Sequence, residues 1–303
     1  MIEPVILAAI YRRLDRALAL PAVPLRPFVV AGATIGYIDD ARAERLARFG
    51  SGVLDVDADR VALVPTLKDE PMRSAAIAAV ANALRADGAL PAWRDELYRV
   101  GPYFDDPPLL HIERGAARYF GVRTYAAHVN AIVHTPETTS MWLARRSVTK
   151  PTDPGMLDNL VAGGIAAGLS IRDTVIKEAW EEAGIDETLA ARAQHTGIVH
   201  ILRALLDGLQ RETVFVHDVA LPPDFQPVNQ DGEVTECRCV DLEEAAATIA
   251  IDGGIDEVTV DASLVVLDFL IRNGDVPRDQ PQFSALDELR YRGAADPSSD
   301  RRA

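Results

Sequence analysis

The chain has 303 residues, with 46 acidic against 31 basic side chains and a net charge of −15. That length accommodates two hydrophobic cores, and the charge disfavours nucleic-acid backbones and anionic membrane surfaces as partners. Hydrophobic residues make up 48% of the chain, as in an ordinary globular protein, yet no apolar run approaches the roughly 20 residues of a membrane span.

In chain order, residues 2–20 have the apolar spacing of an amphipathic helix, ended by the prolines at 21, 24 and 27. The first ten residues lack a basic segment and a long apolar run, so no secretory leader is expected and the localisation is taken as cytoplasmic. Residues 28–38 suit a short strand and 41–49 a helix. Residues 53–64 alternate as a strand closed by Pro65, and 70–87 form a helix with an alanine-rich face stopped at Gly88. With 111–120 as its last segment, this is an N-terminal α+β unit spanning 1–121.

The second unit, 122–289, opens with strands at 125–134 and 142–146. A polar loop follows at 149–159, and 159–162 lead into a glycine-rich loop before a helix at 171–183. Strands at 194–204 and 212–219, a loop at 221–232, a strand at 234–240 and helices at 242–249 and 261–273 complete it. Strands sandwiched by helices make the overall class α+β, with an α/β/α second unit on a mixed sheet. Residues 290–303 are polar and aperiodic, as expected of a mobile tail.

Chemistry concentrates in residues 163–185. Gly163-Gly164-Ile165-Ala166-Ala167-Gly168 precedes a helix bearing Glu178, Glu181 and Glu182 at i, i+3 and i+4, which puts three acids on one face. Such close anions repel unless a hard cation sits among them, and Mg²⁺ or Mn²⁺ favours oxygen ligands together with substrate phosphates. An acid-rich helix face is more often merely solvated. Here Ile171, Val175 and Ala179 form an apolar stripe that contains Glu182 and has Glu178 at its edge, so only Glu181 fits that simpler account.

This stretch resembles the Nudix box: glycine, five residues, glutamate, seven residues, then Arg-Glu-apolar-x-Glu-Glu-x-Gly-apolar. Gly163, Glu178, Glu181, Glu182, Gly184 and Ile185 match it, while Lys177 replaces the arginine and Leu169 the first glutamate. An acid at position 169 would support the cation site. The resemblance extends over about residues 25–285, through Trp93–Val100, Ile112–Arg114, Phe120–Val122, His128–Asn130, Met141–Ser147, Lys150–Asn159 and Asp231–Val234. It is to Nudix proteins with an N-terminal domain of unknown function, similar to the Nudix part of fungal thiamine pyrophosphokinases.

The resemblance implies a Nudix α/β/α fold and hydrolysis of a small organic diphosphate to the monophosphate, the substrate being thiamine-diphosphate-like and particularly an oxidised or damaged form. Other nucleoside-diphosphate-linked compounds, or a non-catalytic ligand-binding domain, are the alternatives. The implied metal ligands are Glu178, Glu181, Glu182 and a carbonyl near Ala162. The base is Glu178 or Glu233, the latter from the acidic group Asp231, Glu233 and Glu236. Substrate contacts are expected from Lys150, Gly163, Gly164 and one of Arg145 and Arg146, with Arg145 chosen. An isopentenyl-diphosphate-type isomerase needs a reactive cysteine facing a glutamate. Cys237 and Cys239, two apart on a strand, read instead as packing residues of a reducing compartment. His128 and Asn130 share a strand face and are read as hydrogen-bonded structure. Trp142 and Tyr125 are read as core. Trp180 points off the apolar stripe, toward the N-terminal unit or a second copy in a homodimer.

Overall fold

The computed structural model describes residues 1–20 and 23–294. Helix α1 (Pro4–Ala17) begins on a proline, whose missing N–H falls where a helix has no partner for it. Strands β1 (Leu25–Val30) and β2 (Ala33–Asp39) pair antiparallel across Ala31 (φ 49°) and Gly32 (φ 84°). Two positive φ values suit the twist of a tight hairpin, so the single strand expected over 28–38 is two. Helix α2 (Asp40–Phe49) is capped by Asp39. Next, β3 (Leu54–Val56) and β4 (Val61–Leu63) again form a hairpin in place of one expected strand. The Asp57 carboxylate accepts from the N–H groups of Asp59 (2.9 Å) and Arg60 (2.8 Å) and folds the chain back.

Helix α3 (Glu70–Ala86) packs with α2 against a sheet of order β2-β1-β4-β3, around Phe28, Leu46, Ile77 and Phe120. An antiparallel arm, β5 (Leu97–Val100) with β6 (Leu110–Glu113), joins the same core through Tyr98, Val100, Leu110 and Ile112.

The second unit is built on β7 (Arg123–His134), β8 (Thr139–Arg146), β9 (Leu157–Asn159) and β10 (Val161–Gly164). Helices α4 (Ile171–Ala183) and α5 (Glu187–Ala190) follow, then β11 (Gln194–Leu205), β12 (Gly208–Leu221) and β13 (Val234–Asp241). Helices α6 (Leu242–Ile249), α7 (Val260–Asn273) and α8 (Phe283–Leu289) close the chain. The sheet runs β11-β12-β7-β8-β13, with β10 added on β7 and β9 on β8, and it is mixed because β7 and β12 are parallel. Both faces of β7 are buried. Tyr125, Ala127, Val129, Ala131 and Val133 share the core of α4, whereas Ala126 and Ile132 share that of α6, α7 and α8. The sandwich is the α/β/α arrangement expected.

Helix α1 belongs to this second core. Leu7, Ile10 and Leu14 are buried in it, and the buried Arg13 donates to the carbonyl of Ile249 (2.9 Å) and to Ser263 Oγ (2.8 Å). A division at residue 121 therefore parts α1 from the core it completes. The expected tail also begins too early at 290: Arg290 is buried and ion-paired with Asp268 and Asp287. The rest of that tail, 295–303, lies outside the described residues.

Backbone bonds join the units, from Ala167 N–H to the Leu97 carbonyl (2.7 Å) and from Leu209 N–H to the Arg118 carbonyl (2.9 Å). The Arg211 guanidinium stacks 4.9 Å over the Tyr37 ring. Among the described residues no helix is long and apolar enough to cross a membrane.

Candidate active site

Helix α4 starts at a reciprocal cap between Ser170 and Asp173 and stops at Gly184, whose φ of 65° suits only a residue free to turn left-handed. Its three glutamates are buried in the order the helical stripe requires. Glu182 is 3% exposed, Glu178 is largely covered, and Glu181 is the most open. Glu182 accepts from the Ala162 N–H (2.8 Å) and from Lys150 Nζ (3.2 Å). Burial nevertheless pushes its carboxyl up to about 8, with Glu178 adding to the shift and Lys150 opposing it. Burial likewise raises Glu178, against the pull of Lys177, whose ammonium lies 3.0 Å from Glu178 Oε1 and 2.7 Å from Glu181 Oε2.

The glycine-rich segment facing these acids starts as strand, with Gly163 opposite Ala127 and Gly164 opposite Ala126, and runs on as a loop from Ile165 to Ser170. Its glycines are explained by what touches them. A Cβ on Gly163 would overlap the Glu178 carboxyl carbon and lie 2.7 Å from Oε1, and one on Gly164 would overlap the Tyr98 hydroxyl. Gly163 thus makes room for an acid of the helix, and Gly164 for a side chain of the N-terminal arm.

Loop 221–232 is docked on the end of α4 by bonds from Val228 N–H to the Ala183 carbonyl (2.9 Å) and from Gln230 N–H to the Glu181 carbonyl (2.8 Å). This brings Asp231 and Glu233 to the site, where the half-exposed Glu233 pairs with Lys150. Burial works against the charge on Lys150, yet its two carboxylate partners keep it above its ordinary value. Glu236 lies outside, held down to about 2 by Arg238 and Arg145.

Arg145, chosen as the substrate contact, is corrected by the pairing of β8 with β9 and β13. It is spent on Glu236 (2.7 Å), Asp256 (2.5 Å) and the Gly155 carbonyl (3.0 Å) and does not line the cleft. Arg146 does, bound to Asp158 Oδ2 at 2.7 Å. Alternation marked one of the pair as inward, but the choice needed the strand's neighbours. His128 is buried and bonded through Nδ1 to Asn159 Oδ1 (2.9 Å), and Asn130 donates to Asp218 (2.9 Å). Tyr125 packs on Phe104 and Phe215, and Trp142 is buried in the same core. Trp180 is 52% exposed and covered by neither unit. Burial lifts the Cys237 thiol to about 11, far from a reactive thiolate, and Cys239 is exposed.

The helix acids Glu178 and Glu181, the glycine strand, Arg146, Lys150 and Glu233 open on a cavity of about 520 Å³ between the units. The second unit contributes Arg146, Lys150, Asp158, Glu178, Glu181 and Glu233, and the N-terminal unit contributes Arg94, Glu96, Tyr98, Arg114 and Arg118. The N-terminal group had no periodic signal of its own. Arg94, Glu96 and Tyr98 lie in the 93–100 run and Arg114 in the 112–114 run that carried the family resemblance, and only Arg118 lies outside them.

Among the described residues no three His, Cys, Asp or Glu side chains are gathered into a ready-made metal site. The Lys177 ammonium stands between Glu178 and Glu181 instead, and that of Lys150 between Glu182 and Glu233. The donor set still fits a hard divalent cation: all its ligand atoms are oxygens, and Glu178 and Glu181 face the cavity beside Gly163.

Residues 11–124 match a domain of unknown function (DUF4743) and residues 124–259 match the NUDIX domain. Over 261 residues the chain is 36% identical to Nudix hydrolase 24, chloroplastic, of Arabidopsis thaliana, covering 86% of this chain and 71% of that protein. Nudix hydrolase 20, chloroplastic, of the same plant is 36% identical over 276 residues, covering 88% and 73%. A solved C. elegans Ap4A hydrolase binary complex overlays 50% of this chain and 98% of its own with 16% identity and a TM-score of 0.37. With both plant relatives matching across the two units, the chain belongs to the Nudix hydrolase family.

Proposed function

We propose that this Nudix hydrolase cleaves the diphosphate of a small organic molecule of the thiamine-diphosphate type, oxidised forms included, in a divalent-metal-dependent reaction that releases the monophosphate. The observation that carries the reading is the juxtaposition of three helix acids with the glycine strand β10: Glu178 and Glu181 line the cavity beside Gly163 and Gly164, and the buried Glu182 accepts from the Ala162 N–H. Glu178, Glu181, Glu182 and the Ala162 carbonyl would hold Mg²⁺ or Mn²⁺. When bound, such an ion neutralises diphosphate oxygens and acidifies water. The chain's own part is to position and to move protons. Glu178 or Glu233 accepts a proton from the attacking water, which adds to phosphorus as the bridging P–O bond breaks. Lys150 holds Glu233 and Glu182 in place and, with Gly163 and Gly164, flanks the phosphates. No nucleic acid or membrane is needed as a partner. The exposed Trp180 would serve a homodimer contact.

The thiamine-type substrate rests on the resemblance over residues 25–285. The lining adds one point: it carries Asp153, Glu212 and Asp261, acids suited to a cationic ring. A Mg²⁺ assay against thiamine diphosphate, its oxidised forms, a nucleotide sugar and a dinucleotide tests the reading, with Glu182→Gln as the control. We expect turnover of the thiamine compounds, lost by about 100-fold or more in a folded Glu182→Gln. Preferred cleavage of the nucleotide sugar would move the protein to a nucleoside-diphosphate substrate. Near-parent activity of Glu182→Gln would remove that residue from the site.

A further inference from the structure

Six cationic side chains line the cavity, and all but one are matched to an acid. Arg114 pairs with Glu96 (2.8 Å), Arg118 with Asp207 (3.3 Å) and Arg146 with Asp158 (2.7 Å). Lys150 and Lys177 each bridge two glutamates. Among the described residues Arg94 forms no ion pair, and its guanidinium makes a single long contact, 3.5 Å to Thr152 Oγ1.

The backbone around Arg94 is nonetheless pinned. Its N–H donates to the buried Glu113 carboxylate (2.7 Å), which also accepts from Gly115 N–H (3.2 Å). On the other side Asp95 takes φ 57° and accepts from the Trp93 indole (2.8 Å). A non-glycine residue is disfavoured in that region, so the turn is enforced by its surroundings. The result is a fixed strut that presents an uncommitted guanidinium to a cavity. Burial, with Arg114 nearby, disfavours its charge against the pull of Glu233, and a bound anion would add to that pull.

We infer that Arg94 is a phosphate anchor of the active site, so that the N-terminal unit supplies part of the binding machinery for the diphosphate. A guanidinium is suited to this, because its planar fork can give two parallel hydrogen bonds to phosphate oxygens. The assignment rests on the diphosphate-hydrolase reading, but it requires anion binding in the absence of metal.

The test is calorimetric titration of the full chain with inorganic pyrophosphate in the presence of a chelator. It compares the parent with Arg94→Ala, Arg94→Lys and Arg48→Ala, the last removing an equal charge from the exposed face of α2. Arg94→Ala is expected to weaken binding about tenfold or more and Arg94→Lys to recover part of it, with Arg48→Ala like the parent. In the hydrolysis assay Arg94→Ala should raise KM far more than it lowers kcat. Equal pyrophosphate affinity in the parent and Arg94→Ala, a matching loss in Arg48→Ala, or no binding by the parent overturns the anchor. Hydrolysis that persists with an unchanged KM in Arg94→Ala also removes the anchor and leaves the hydrolase standing. Arg94-dependent binding without cleavage of any diphosphate does the reverse.

Discussion

Replacing Gly164 with alanine probes how the N-terminal arm locks onto the box strand. The new Cβ would overlap the Tyr98 hydroxyl and lie 2.9 Å from Tyr98 Cζ. Unstrained carbon contacts need about 3.5–4.0 Å. Neither partner yields easily, since Gly164 is in register with Ala126 on β7, and the buried Tyr98 is paired with Ile112 across the arm. Gly164 is absent from the positive-φ glycines, so alanine brings no backbone strain there. In empty space it would stabilise by ~0.4–1 kcal/mol through the unfolded chain. Overpacking typically costs ~1–3 kcal/mol and outweighs that gain, so the expected net loss is about 1–2 kcal/mol.

Tyr98→Phe removes the overlapping oxygen and leaves one ring carbon to accommodate. On that background the same alanine should lose less, with a coupling energy of about 1 kcal/mol. Urea unfolding of the parent, both single variants and the double variant measures this directly. If Gly164→Ala is as stable as the parent, or loses as much with Tyr98→Phe as without it, the packing argument fails.

Two further substitutions test other parts of the argument. Leu169 stands where the box has a glutamate, but here it packs on the apolar core beneath α4. Leu169→Glu should therefore lower stability by about 1–3 kcal/mol without tightening Mg²⁺ binding; tighter binding in a calorimetric titration, with the melting temperature unchanged, would restore the acid's usual role. His200 is held down to about 4 by burial, with Arg123 adding to the shift. Between that value and the ordinary ~6.5 the unfolded chain binds the extra proton, so stability falls as the pH drops through this window, by on the order of 1–3 kcal/mol. His200→Gln should flatten this part of the pH–stability curve, and an unchanged curve in denaturant melts from pH 7.5 to 4.5 would count against it.

The second unit was far more legible in the sequence than the first. Apart from the short β9 and β10 its strands are long, and α4 and α6 are capped, so the period of the pattern exceeds the noise of single residues: these two helices have the limits their apolar spacing sets. In the N-terminal unit the strands are three to seven residues long. An apolar stretch runs through the turn at Ala31, which gave no sign of its positive φ, while the polar turn at 57–60 sat within an alternation that reads as one strand. Glycine misled in the opposite direction. Gly163 and Gly164 looked like loop residues, whereas they form a strand stripped of side chains so that Glu178 and Tyr98 can approach. Arg145 and Arg146 show a third limit: alternation separates two faces of a strand, and only the neighbouring strands decide which face is the cleft.

The charge balance explains why the site needs both units. The protein is strongly acidic and the proposed substrate is an anion, so approach must be favoured locally. In the second unit the cationic groups at the cleft are held by carboxylates: Lys150 by Glu182 and Glu233, Lys177 by Glu178 and Glu181, and Arg146 by Asp158. Such pairs fix geometry but leave little net positive field. A bound divalent ion supplies one remedy. The other comes across the cavity from the N-terminal unit, where the arm carrying Tyr98 is seated against Gly164 and the same segment presents Arg94. Seating the arm and placing the guanidinium are thus one structural event, and a defect at Gly164 would be felt in phosphate binding as well as in stability.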